Sequence, residues 1–336
     1  MRLLIVTQTV NREDPILGFF HGWLERFAKE TETLTVIAQS VGSHALPESV
    51  RVLSLGKESG ASRSRQILRF WLLIWRERGR YDAVLVHMTP VWMVLGAKIW
   101  ILLGKRRYLW YEIRRGGWML RMSLLLTKKV FSATKDGLPF PSRKQVIVGH
   151  GIDINLFRPH EDSRQAHLVS TVGRVTEVKH HEVLLRAFAS LPKTFQFILG
   201  GGTITKRDEE TLATLERFMW ETGIADRVQI GFLSQRDVIA LLQKTELFLH
   251  ACEGGLDKAL LEAMACGCLV ASSSIAAHSA LPSDCRATHE TMPAVAQRLI
   301  KLSGDRKQAL RQELRAIVER DHSVDVLIPR LVKEMT

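Results

Sequence analysis

From Leu256 to Cys266 the chain reads Leu-Asp-Lys-Ala-Leu-Leu-Glu-Ala-Met-Ala-Cys, and Cys268-Leu-Val-Ala-Ser272 follows after one glycine. The first stretch has helical spacing and is apolar around most of its circumference, so it specifies a helix buried on most sides. Gly267 stops that helix, and the second stretch reads as a buried strand. Strands of this kind alternate with helical patterns along the whole sequence. They are expected near 3–7, 34–38, 51–55, 83–87, 107–112, 129–133 and 145–148, then near 168–172, 195–199, 227–231, 246–250 and 268–272. Such alternation implies an α/β fold of parallel sheets with helices on both faces. At 336 residues, two domains of ordinary size are expected, each able to bury a core.

The buried helix carries one carboxylate in its middle, Glu262. A buried carboxylate is costly unless something pairs with it or hydrogen-bonds to it. Lys258, four positions back, is one candidate partner, and a ligand is the other. Gly254 and Gly255 make a bare loop before the helix N-terminus, where unpaired N–H groups and partial positive charge suit a phosphate. A second constellation lies at Val172-Gly-Arg174-Val-Thr-Glu-Val-Lys179. A strand ends at Gly173, and Val183, Leu184, Ala187 and Phe188 recur at helical spacing from a start near Lys179 or His180. Arg174 and Lys179 therefore fall in an exposed strand-to-helix loop at the carboxyl end of a strand, the edge where open α/β sheets bind ligands. A guanidinium fork and a compact ammonium together suit a diphosphate leaving group.

These two motifs, in this order, resemble glycosyltransferase family 4, the retaining GT-B enzymes that use nucleotide sugars. Three more stretches match: Val148-Gly-His-Gly151-Ile-Asp153-Ile-Asn-Leu-Phe157-Arg-Pro159, Phe197-Ile-Leu-Gly-Gly201-Gly202, and Val228-Gln-Ile-Gly231-Phe232-Leu233. The N-terminal Leu3-Leu-Ile-Val-Thr and Leu17-Gly18-Phe-Phe-His-Gly-Trp fit a first strand and first loop. The resemblance is strongest over 148–275 and implies two Rossmann-like domains facing a central cleft. Residues 1–150 would bind the acceptor, residues 151–319 the nucleotide sugar, and a last helix at about 320–336 would return to the first domain. Gly18, Gly201, Gly202, Phe232, Leu233, Glu253, Gly254, Gly255, Leu256 and Glu262 would form the donor site, with Glu262 on the ribose hydroxyls. Arg174 and Lys179 would stabilise the departing diphosphate of a UDP- or GDP-linked hexose.

The sequence departs from the family pattern twice. The family places a second glutamate eight positions before the Glu262 equivalent, and here that position is Gly254, with Glu253 one place off. Either Glu253 reaches in through the Gly-Gly loop, or backbone N–H groups of 254–256 replace it. Many members also carry a histidine after the fifth strand, where this chain reads Trp110-Tyr-Glu112-Ile-Arg-Arg115. Glu112, His87 at the end of the fourth strand, and His21 in the first loop are the candidates for that place.

Charge is unevenly distributed. Residues 1–150 hold 24 Lys or Arg against 11 Asp or Glu, while the rest holds 23 against 24, so the net +12 belongs to the first half. Seven of the eight tryptophans are there too, and Arg63 to Arg80 reads as a basic helix with aromatic residues. Cations beside interfacial Trp suit an anionic membrane surface and a lipid-linked or envelope-glycan acceptor. Nucleic acid ranks below it, because no RNA- or DNA-binding motif is present. The apolar stretch from Val91 to Leu103 is too short to span a bilayer. The N-terminus runs straight into a strand, so a cytoplasmic protein, peripheral on the inner face of the membrane, is expected. Four cysteines without a C-x-x-C pair indicate neither a disulfide framework nor a zinc site. The resemblance implies sugar transfer with retention, without a metal or cofactor. A nucleotide-sugar-binding protein that has lost transfer is the alternative.

Overall fold

Every strand pairs in parallel with its neighbours, in two separate sheets. The computed structural model describes residues 1–14, 17–160 and 163–336. The chain divides into one unit of Met1–Gly151 with Val324–Thr336 and a second of Ile152–Ser323. The first unit runs β1 (Arg2–Val10), α1 (Phe19–Glu30), β2 (Thr33–Val41), β3 (Val50–Ser54), α2 (Arg63–Arg76), β4 (Ala83–His87), α3 (Pro90–Leu102), β5 (Arg106–Trp110), α4 (Trp118–Leu126), β6 (Lys129–Ser132) and β7 (Gln145–Ile147). Its sheet order is β3-β2-β1-β4-β5-β6-β7.

In the second unit β8 (Gln165–Val172) leads to α5 (His181–Ala189), β9 (Gln196–Gly200), α6 (Lys206–Glu221), β10 (Val228–Gly231) and α7 (Gln235–Lys244). β11 (Thr245–His250), α8 (Lys258–Ala265), β12 (Leu269–Ser272), α9 (Ile275–His278), α10 (Met292–Ile300) and α11 (Gly304–Ile317) follow. The sheet order is β10-β9-β8-β11-β12. After a π turn at Val318–His322, the last helix α12 (Val324–Met335) packs on α1 in the first unit. All twelve strands expected from the sequence are present within a few residues of their expected places.

The strand β1 shows why the sheets are parallel. Leu3 and Ile5 bury in the core under α1 and α12, while Leu4 and Val6 bury in the core on the other face, under α2, α3 and α4. All four are fully buried. A continuous aliphatic run leaves no face for water, and each such side chain contributes about 1.5–3 kcal/mol when buried. Turn chemistry closes the helices. The Ser62 hydroxyl accepts the Arg65 N–H at the start of α2, and Thr205 with Asp208 forms a capping box on α6.

Two expectations are refined. The basic helix read over 63–80 ends at Arg76, because Glu77 turns inward. Its carboxylate is 3% exposed and meets Arg51 at 3.1 Å, Arg76 at 3.1 Å and Arg80 at 3.7 Å. Arg76 and Arg80 therefore neutralise a buried acid as well as adding surface charge. The tryptophans also divide. Trp23, Trp92, Trp100 and Trp110 are core, whereas Trp71, Trp75 and Trp118 are exposed.

Gly151 sits at φ 74° and its carbonyl accepts the Trp23 indole N–H at 3.1 Å. A Cβ there would stand 2.6 Å from both Trp23 and Leu327. Gly151→Ala should therefore lose about 2–4 kcal/mol, from the left-handed backbone together with overpacking. Gly60 isolates the backbone part: its φ is 77°, and a Cβ there would meet nothing within 4 Å. Gly60→Ala should lose only about 1 kcal/mol. Urea unfolding of the two variants measures the difference.

Candidate functional site

In the second sheet the strand order reverses between β8 and β11, so the loops leaving these two strands diverge and open a crevice at the carboxyl edge. The loop after β8 is laid against its neighbours by backbone bonds. The Gly173 N–H donates to Gly200 O at 3.1 Å, Val175 N–H to Gly202 O at 3.0 Å, and Gly201 N–H to Gly231 O at 2.8 Å. A Cβ on Gly201 would lie 1.9 Å from Gly173 O, so only glycine allows this approach. The same packing brings Leu233 against Gly200, and Phe232 beside Gly202. Arg174, Gly201, Gly202, Phe232 and Leu233 thus share one edge. The Phe232 ring is 73% exposed there, and the Arg174 guanidinium is 3.8 Å from Asp208.

Lys179 differs from its sequence reading. It is mostly buried, and its ammonium donates to Asp257 Oδ2, tying the loop after β8 to the loop after β11. His250, the last residue of β11, places Nε2 3.4 Å from the same carboxylate and turns Nδ1 to Ser272 Oγ at 2.8 Å. Burial opposes the charge on Lys179, but Asp257 beside it raises its pKa. Burial likewise opposes ionisation of Asp257, and Lys179 with His250 overcomes it, holding the carboxyl far below its usual range. His250 is raised, with its bond to Asp257 overcoming burial, and the adjacent Cys252 thiol is lowered by His250 and Lys179 against its burial. His250, Cys252 and Asp257 form the one group of metal-ligand type among the described residues, their donor atoms lying within 4.8 Å of one another. The Lys179 ammonium already supplies a cation to that group.

Asp257 also lies at the helix N-terminus. Its carboxylate caps α8 by accepting the Ala259 N–H at 3.3 Å, so this end already has an anion of its own. Gly254 and Gly255 are half-buried beside it, and Leu256 is buried. Glu253 turns away from the helix. Its N–H donates to Val178 O at 3.0 Å, and its carboxylate meets His180 Nε2 at 2.8 Å. His180 holds a left-handed backbone at φ 45°, a strained conformation for a residue with a Cβ. On α8, burial raises the Glu262 carboxyl and lowers the Lys258 amine, and the two stabilise one another's charges. His181, behind the loop, is kept neutral by burial, with its pKa lowered to about 4. A 500 Å³ pocket beside it carries Glu177, Glu182 and Glu210 and so repels a diphosphate.

Gly18, His87 and Glu112 belong to the first unit, at the carboxyl edge of its own sheet. A Cβ on Gly18 would meet the carbonyls of Asp14 and Arg12 at 2.7 and 2.8 Å. His87 is 1% exposed, stacks on Phe20 at 4.0 Å between ring centroids, and lies 3.2 Å from the Thr7 hydroxyl. Glu112 is buried, and its two oxygens accept the Ala133 N–H at 2.6 Å and the Thr134 hydroxyl at 3.2 Å. In place of an open carboxylate, Glu112 braces the turn after β6. His21 accepts the Ala45 N–H at 3.1 Å and burial lowers its pKa. Sequence reasoning missed Asp257, His250 and Cys252. Asp257, beside Lys258 at the start of an apolar helix, carried an N-cap signal, whereas His250 closed an ordinary strand pattern.

Two parallel sheets of this kind, each covered by helices, define a GT-B-type α/β chain. The family "Glycosyl transferases group 1" matches residues 154–280, which take in the loops after β8 and β11. HepE of Anabaena, solved in complex with UDP, superposes with a TM-score of 0.77 at 16% identity, over 99% of each chain. Its complex with UDP-glucose gives 0.76 at 17%, over 99% of this chain and 98% of that one. Sucrose-phosphate synthase of Thermosynechococcus elongatus gives 0.75 at 15%, over 99% of each chain. The lipopolysaccharide outer core galactosyltransferase WaaB in its apo form gives 0.70 at 13%, over 100% of this chain and 99% of that one. No curated protein matches the sequence. At these identities the structures establish the fold. With the family match, the protein is a GT-B-fold chain related to the group 1 glycosyltransferases.

Asp257→Asn keeps the cap but removes the charge opposite Lys179 and His250. Removing one partner of a mostly buried pair should lose roughly 3–5 kcal/mol. Because the folded carboxyl titrates below its unfolded value, its stabilisation is present above about pH 4 and is lost as the pH falls further. Thermal melts between pH 7 and pH 2 should show a shallower acid-side decline in the variant.

Proposed function

We propose that the protein is a glycosyltransferase that moves a hexose from a nucleoside diphosphate to a hydroxyl acceptor, with retention of anomeric configuration. The observation that supports this reading is the Lys179–Asp257 ion pair, which ties the loop after β8, where Arg174 also lies, to the loop after β11 that holds Gly254 and Gly255. The similarity to HepE, solved with UDP and with UDP-glucose, supports a UDP-linked donor. The similarity to WaaB, a lipopolysaccharide outer core galactosyltransferase, supports an envelope-glycan or lipid-linked acceptor.

In this reading the diphosphate lies against Arg174, Lys179 and the backbone N–H groups of residues 254–256. Asp257 holds the Lys179 ammonium in place and keeps it charged, so the cation needs no reorganisation as negative charge builds on the leaving group. Glu262 accepts the ribose hydroxyls. A neighbouring bound diphosphate disfavours its ionisation, and Lys258 offsets this. Phe232 offers an exposed ring for the base. The acceptor hydroxyl attacks from the face that the leaving group quits and gives its proton to the diphosphate. In this reading the cations that meet the diphosphate are the side chains of Arg174 and Lys179. His87 and Glu112 act as supports for loops of the first unit rather than as groups on the reacting carbon.

Arg174 is half exposed, and its one carboxylate neighbour is 3.8 Å away, so its loss should leave folding intact. Arg174→Ala should lower kcat about 10²–10³-fold, the effect of removing one charge-stabilising donor. The assay is release of UDP and labelled product from UDP-glucose, UDP-galactose and GDP-mannose, with a membrane extract as acceptor. Near-normal turnover by the variant would remove Arg174 from the diphosphate site. Calorimetric binding of a nucleotide sugar without product on any acceptor would leave the protein as a nucleotide-sugar-binding chain.

A further inference from the structure

Three helices of the first unit expose apolar side chains on the side that faces away from the sheet. Leu68, Leu72 and Trp75 on α2, Leu102 on α3, and Trp118 and Leu125 on α4 are 52–77% exposed. The helices lie side by side. Their inner residues, Phe70 and Ile74 of α2, Trp92 and Trp100 of α3, and Leu120 of α4, bury in one cluster on one face of the sheet. The Trp71 indole donates to Leu95 O at 2.9 Å, joining α2 to α3, and the Ser123 hydroxyl donates to Pro90 O at 2.8 Å, joining α4 to α3. Their outer sides therefore make one surface. An apolar surface of this extent marks an interaction site rather than chance exposure.

Charge indicates which partner covers it. Between Arg63 and Lys128 the sequence holds 14 Lys or Arg and three acids. None of the three acids offers a free carboxylate to that surface. Glu77 is buried under Arg51, Arg76 and Arg80, Asp82 is bonded to Arg2, and Glu112 is buried against Ala133 and Thr134. Trp and Leu interleaved with cations alone match the interfacial zone of an anionic leaflet, where apolar rings sit among acyl chains and cations among headgroup phosphates. Among the described residues no helix is long and apolar enough to cross a membrane, so the surface would lie on the bilayer.

We propose that the outer surface of α2, α3 and α4 docks on an anionic lipid leaflet, with Trp75, Trp118, Leu72 and Leu125 inserted and Arg63, Arg65, Arg114 and Arg115 on the headgroups. α3 and α4 start at the carboxyl edge of the first sheet, just beyond β4 and β5, so this edge borders the docking surface. The proposal rests on the function above only for the nature of the acceptor. The docking itself stands on this surface.

Vesicle co-sedimentation of the full chain tests it, with vesicles of phosphatidylcholine alone and of three parts phosphatidylcholine to one part phosphatidylglycerol. The wild type should bind the anionic vesicles far more tightly, and rising salt should weaken but not abolish the binding. Each of Arg63→Gln, Arg65→Gln, Arg114→Gln and Arg115→Gln should weaken anionic binding about fivefold. The combined Leu72→Ser, Trp75→Ser, Trp118→Ser and Leu125→Ser variant should lose the salt-resistant part. Brominated acyl chains should quench wild-type tryptophan fluorescence and quench this variant much less. All variants should keep the wild-type affinity for UDP-glucose, because the donor edge lies in the other unit, so a failed donor reading shows separately as absent nucleotide binding. Equal binding to both vesicles, binding to neither, or wild-type binding by the Ser variant would overturn the proposal. So would a wild-type dimer in sedimentation velocity that the Ser variant dissociates, since the surface would then serve a second copy of the chain.

Discussion

The contact between Lys179 and Asp257 joins the two loops that diverge from the second sheet, and the electrostatics of that sheet edge depend on it. Parallel pairing sends β8 and β11 out side by side, but their following segments go to opposite sides. Nothing in the ladder itself keeps the two loops together. The ion pair does so, assisted by the Glu253 N–H on Val178 O and by the His180–Glu253 contact. It also sets the local electrostatics. One carboxylate anchors a lysine, raises the pKa of a histidine and caps the helix behind it. Under the proposed function, this preorganised cation would face the leaving diphosphate.

The close packing of the glycines on the same edge serves the same end. Gly201 approaches the Gly173 carbonyl so nearly that any side chain would push the loop outward and carry Arg174 with it. His180 reaches its place through a strained backbone, and Met88, just after β4 in the first unit, does likewise at φ 59°. Both strained residues lie at the carboxyl edges of their sheets, where a binding site can use conformations that a plain connection would avoid.

The first unit shows how one sheet can have two different outsides. On one face α1 and α12 close a core that includes Leu327 and Leu331. On the other, α2, α3 and α4 are apolar on both the inward and outward sides. The inward side is explained by the sheet. The outward side leaves Leu68, Leu72, Trp75, Trp118 and Leu125 exposed.

The alternation of periods, the glycine punctuation and the continuous aliphatic runs determined the twelve strands, because burial on both faces leaves a signal in every residue of a parallel strand. The same local signals placed Arg174, Lys179, Glu262 and the glycine-rich turns in loops or on a helix at one sheet edge. They could not give partners, since a partner is a matter of which distant segments the sheet order brings together. Lys179 looked like a free loop cation until the β8–β11 adjacency set it on Asp257. Glu112 and His87 read as polar residues at strand ends, and only the fold showed their burial and their partners Ala133, Thr134 and Thr7. Likewise, a tryptophan's position in the sequence does not say whether it faces the sheet or the water. Only the packing of α2, α3 and α4 on one face separated Trp92 and Trp100, which hold the core, from Trp75 and Trp118, which stand outside it.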